Sequence, residues 1–279
     1  MAVTTSRSLL GFRDIPPGAH FLWVQQLSGV SRCGYWFVTT RQGTARIKQW
    51  DGYNEVLGKP GSPPRARNQE DNIEAVYPVL QPYTLYTHKD NAAKSLGGTH
   101  PAWARSPASL WQALTSAIST ESLARITGEQ DVQEYLVDSM DCPKDARHSA
   151  SPTSTTKFDA DPINNKLTFL FSQDMRDLQI LDLQPSSARN ADTSARVLAL
   201  LTTTADQAIL ADLQFTFLTG THLGNPACLE QWWNLVLKIV LRAYTLALTR
   251  PQLARDLLRT LHAQLFNFLP SATSSNNTK

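Results

Sequence analysis

Net charge is nearly absent from this sequence. Its 26 Lys and Arg residues offset 24 Asp and Glu, leaving a formal charge of +2, and only 18% of the chain is charged. That balance provides no field to steer the chain onto a phosphate backbone, so direct nucleic-acid binding is not expected. Cysteine is also sparse: Cys33, Cys142 and Cys228 are odd in number, widely spaced and free of any Cys-x-x-Cys pair. This excludes a disulfide framework and fits a reducing compartment. Long apolar runs are missing too. The most apolar stretch, Leu235 to Leu248, is broken by Lys238 and Arg242, and MAVTTSRSLLGFRDIPPG at the start has no continuous apolar segment of signal-peptide length. The expectation is a soluble protein of the cytoplasm or nucleus with no membrane partner.

Catalytic signatures are absent as well. There is no Gly-x-Ser-x-Gly, no Gly-x-x-x-x-Gly-Lys-Ser/Thr and no Gly-x-Gly-x-x-Gly, so hydrolase, P-loop and dinucleotide readings have no starting motif. His222, Cys228 and Glu230 stand close together in HLGNPACLEQWW. A metal site there would need further ligands, and only the distant His262 is available. A nucleophilic Cys228 would need a base and a thiolate-stabilising environment that no surrounding signature supplies. Asp159 and Asp161 fall in a low-complexity stretch, and Arg65 and Arg67 lack interleaved aromatics. No catalytic, cofactor-binding or metal-ligating residue is expected, and hence no enzyme.

What the chain does have is 42% hydrophobic residues over 279 positions, enough for a sizeable core that divides naturally into two domains. Ile15, Pro16, Pro17 and Gly18 form a breaker, after which Ala19 to Gln25 reads as a strand. Gly34 to Thr40 is a second strand, and the turn-like Arg41-Gln42-Gly43 leads to Ala45 to Trp50, which predicts a hairpin between these two. Residues 59–71 read as an exposed loop. Ile73, Val76, Tyr77 and Leu80 indicate a helix cut short by Pro78. Leu110, Trp111, Leu114 and Ile118 share one helical face, and Thr120 is placed to cap a further helix ending before Gly128. Residues 1–140 thus read as a β-rich domain with a few helices. Residues 141–164 are Ser/Thr/Pro-rich and bury too little to offset ordering, so they read as a flexible linker.

Residues 165–279 read as a helical domain introduced by a strand from Lys166 to Phe171. Thr204 to Gln207 has capping-box spacing, Ile209, Leu213 and Phe217 share a face, and Gly220 is where that helix should stop. Asn225 is a good N-cap, Pro226 suits the first helical position, and Glu230 sits toward the positive end of the dipole. Leu229, Trp232 or Trp233, Val236, Leu237, Val240 and Tyr244 make a broad apolar stripe, which predicts a helix central to a bundle. Trp232 and Trp233 cannot face the same side, so one is free for a partner. Leu253, Leu257, Leu261 and Leu265 mark a last helix, and SATSSNNTK is a polar tail. The class is α+β, β-rich first and all-helical second.

Several stretches together resemble the Aar-two cistron-splicing factor family, in a fungal version: FRDIPPGAHFLW, GYWFVTTRQGTARIKQWD, the Pro82-Tyr83 step, and ADLQFTFLTGTHLGNPACLEQWWNLVLKIVLRA. The resemblance covers both halves in order. It implies a non-enzymatic assembly factor of the U-five small nuclear ribonucleoprotein, whose C-terminal helical domain is VHS-like. It also implies binding to the large pre-mRNA-processing splicing factor eight, through that protein's RNase H-like and Jab/MPN-like domains. Such a factor, a monomer when free, holds an immature particle in the cytoplasm and keeps a helicase away until nuclear maturation. Contact residues are expected at Trp232, Trp233, Leu167, Phe169 and Phe171. Compared with the family the chain looks shortened at both ends, lacking a strand-forming segment before the IPPG turn and a tail able to pair with partner strands. Two other classes compete: a VHS-like adaptor in membrane traffic, and a thiol-dependent hydrolase built on Cys228.

Overall fold

The computed structural model describes residues 11–25, 32–40, 45–53, 56–58, 72–83, 106–130, 134–144, 165–171 and 192–268. The expected loop at 59–71, most of the expected linker and the tail lie outside them.

The IPPG break does what its residues dictate. Gly18 opens strand β2 (Gly18–Gln25) at φ 131°, a backbone angle that side chains disfavour. The Pro16 carbonyl accepts from His20 Nε2 at 2.7 Å. Nδ1 of the same ring must then accept from the Tyr83 hydroxyl, 2.8 Å away. Burial lowers the His20 pKa, which keeps this ring neutral. Just before the break, β1 (Phe12–Arg13) pairs in parallel with β6 (Gln81–Pro82), and Tyr83 N–H donates to the Arg13 carbonyl at 2.8 Å.

The hairpin differs from the one predicted. Strand β3 (Arg32–Thr39) pairs antiparallel with β2, in the register Phe21 to Trp36, and on its other side with β7 (Tyr135–Asp138). Residues 45–50 do not pair with β3. Gln49–Asp51 forms β4 and pairs with β5 (Val56–Gly58). This ribbon lies against the outer face of the sheet, where Lys48 sits over the Tyr35 ring and Leu57 N–H donates to the Tyr35 hydroxyl at 2.6 Å. β2 pairs with β3 along all eight residues and sets apolar side chains opposite one another on both faces, Phe21 against Trp36 and Leu22 against Tyr35. The 45–50 stretch offers charged Arg46 and Lys48 instead.

Helices follow with small shifts. Ile73–Val76 is a single α turn (α1) that tightens to 3₁₀ over Tyr77–Val79, as Pro78 requires. α2 (Pro107–Thr115) buries Leu110, Trp111 and Leu114 under a Ser106 cap. α3 (Thr120–Thr127) is capped by Ser119 rather than Thr120, because Ser119 and Ser122 exchange side-chain and backbone bonds in a capping box. Gly128 ends it in the left-handed region, as expected. β8 (Cys142–Pro143) pairs in parallel with β9 (Asn165–Leu167). The strand expected through Phe171 stops at Leu167, because Thr168 N–H turns away to the Ile126 carbonyl at 2.7 Å.

The second half is helical: α4 (Ser194–Leu200), α5 (Asp206–Leu223), α6 (Pro226–Leu235) with a π-helical continuation over Val236–Val240, α7 (Leu246–Thr249) and α8 (Pro251–Phe268). The capping box at Thr204 does not form. Ala205 takes the N-cap position and leaves Thr204 one residue outside. The central helix is α5 and not α6: every residue from Ile209 to Gly220 is buried, as for a helix enclosed on all sides. The sheet supplies one of its walls, with the Trp36 and Phe215 rings 5.7 Å apart. The β-containing and helical parts therefore contribute to one continuous buried cluster.

Gly220 is not a stop. α5 continues to Leu223, and Gly224 ends it at φ 71°. A Cβ on Gly220 would stand 2.9 Å from the Leu229 side chain and 3.1 Å from its backbone nitrogen, so glycine is there to let α6 approach. Gly220→Ala is expected to lose about 1–2 kcal/mol, because overpacking outweighs the helical gain of removing glycine. A urea titration checks it, and a stabilised variant would mean that α6 can back away freely.

In α8 the leucines spaced by four drift off the core. Each step of four advances about 40° beyond a full turn. Leu253 and Leu257 are buried, whereas Leu265 and the neighbouring Leu258 are exposed.

Candidate functional site

The turn from α5 to α6 gathers the residues that first suggested chemistry, and the structure uses them as a joint. Asn225 caps α6 by accepting from Cys228 N–H at 2.8 Å. Its amide nitrogen donates to the carbonyls of Asp138 (3.0 Å) and Asp141 (2.9 Å), bolting the helices to the sheet. Pro226 occupies the first helical position as expected. Glu230 is exposed and lies beyond the first turn, too far along to serve as a cap.

His222 belongs to the last turn of α5 rather than to the start of α6. Its carbonyl accepts from Arg32 Nη1 at 3.3 Å, and its ring lies 6.2 Å from Phe21. Burial pushes the imidazole down to about 4, leaving it neutral. Cys228 is fully buried, and burial, reinforced by nearby acidic groups, raises its thiol well above the ordinary value. A buried, protonated thiol is the reverse of an activated nucleophile. Among the described residues, no group of three His, Cys, Asp or Glu could hold a metal ion. No described helix is long and apolar enough to cross a membrane.

Asp141 is the strained member of this joint. Burial raises its carboxyl to about 6, against the pull of Lys166 Nζ at 3.7 Å and a 2.7 Å bond accepted from Asp138 N–H. Because the folded value lies above the unfolded one, the contribution of Asp141 to stability is fully present below about pH 4. It is lost as pH rises through about 6. Asp141→Asn keeps an acceptor for Asp138 without the buried charge, so a gain of about 1–2 kcal/mol is expected at pH 7. Stability should also flatten between about pH 4 and 6. Thermal melts across that range check it, and an unchanged pH profile would remove Asp141 from this role.

Of the five expected contact residues, four are corrected. Leu167, Phe169, Phe171 and Trp232 are buried in the core, and Trp232 Nε1 donates to Gln264 Oε1 at 2.8 Å. The 165–171 segment is wedged between α3 and α5, where Leu170 N–H donates to Asp212 at 2.9 Å. Apolar alternation cannot separate a strand facing a partner from one facing its own core. Trp233 is 54% exposed, so the pair does split as helix geometry demands.

Beyond Trp233 the surface holds residues that were not singled out as contacts. Leu237, Leu241, Tyr244 and Leu248 are all exposed, Leu248 at 84%. They interleave with the buried Leu235, Val236, Ile239, Ala243 and Leu246. A stretch that is apolar on two faces when one core suffices is the signal that could have found them.

These features define an α+β protein, with strands toward the N-terminus and helices toward the C-terminus, whose buried polar groups lock its own parts together. The chain belongs to the AAR2 family: residues 1–128 match the AAR2 N-terminal domain and residues 146–278 the AAR2 C-terminal repeat region. That membership supports a splicing-related assembly role. No curated protein matches the chain.

Proposed function

We propose that this protein is a non-enzymatic assembly factor that binds the large pre-mRNA-processing splicing factor eight during maturation of the U-five small nuclear ribonucleoprotein. The observation that carries the reading is the pair of family matches, in order, over both halves of the chain. The buried thiol of Cys228 and the use of Asn225 and Asp141 as a joint agree with action by binding rather than by catalysis. In this reading the protein is a monomer when free, meets the RNase H-like and Jab/MPN-like domains of its partner in the cytoplasm, and is released as the particle matures in the nucleus.

The test is size-exclusion co-elution of the full chain with the RNase H-like domain of splicing factor eight from the same source. A stable one-to-one complex is expected. Separate elution of two folded proteins, in this and in a parallel run with the Jab/MPN-like domain, would overturn the proposal.

A further inference from the structure

We draw no further inference here: the strongest candidate, the exposed apolar surface strip of Trp233, Leu237, Leu241, Tyr244 and Leu248 along α6 and the chain that follows it, carries nothing because no feature of the structure shows what covers it.

Discussion

Trp36→Ala is expected to cost about 3–5 kcal/mol, enough to leave much of a marginally stable chain unfolded. Trp36 has no exposed surface and sits where the sheet meets α5. Its ring lies 4.7 Å from that of Phe21 and 5.7 Å from that of Phe215, and its Nε1 donates to Thr219 Oγ1 at 3.0 Å. Truncation removes the ring from both contacts at once and leaves a cavity between two elements whose backbones cannot close over it. Trp36→Phe separates the contributions. It retains much of the packing and loses the bond to Thr219, so a loss of about 1–2 kcal/mol is expected. Urea unfolding of both variants checks the order. A Trp36→Ala loss under about 1 kcal/mol would mean that the sheet does not depend on α5 for its stability.

Asp212→Ala is expected to cost about 2–4 kcal/mol. The carboxylate is completely buried in α5, pairs with Arg125 of α3 and accepts from Leu170 N–H. Removing it strands a half-buried amide and takes the carboxylate partner from Arg125, whose side chain keeps 28% exposure and still donates to the Thr168 carbonyl. Desolvation raises the Asp212 pKa despite Arg125. The charge itself is therefore held at a cost, and the hydrogen bonds supply the benefit. Asp212→Asn keeps an acceptor for Leu170 without a buried charge and is expected within about 1 kcal/mol of the parent. Equilibrium unfolding at pH 7 decides between them. Equal losses for Asn and Ala would show that the ion pair, rather than the Leu170 bond, holds the 165–171 segment in place.

Much of the local structure was legible because it depends on near neighbours. IPPG stops one element and starts β2, Asn225-Pro226 starts α6, Gly128 stops α3, and Pro78 shortens a helix, all through dihedral limits and bonds a few residues long. Family resemblance was legible too, since the quoted stretches fall in both matched regions. Less accessible were features in which local signals competed. Ser119 and Thr120 are both capping residues, and only the bond exchanged with Ser122 decides between them.

The sequence by itself determined where most helices lie and that β2 and β3 are strands. Only the tertiary structure decided that β3 pairs with β2 and with a strand about a hundred residues away, and that Gly220 is a contact rather than a stop. It also decided that Leu167, Phe169 and Phe171 are core while Leu237, Leu241 and Leu248 face water. The reason is physical. Backbone preferences act over one helical turn, whereas burial is settled by what a side chain meets from elsewhere in the chain, and a leucine has the same hydrophobicity on either side of that surface.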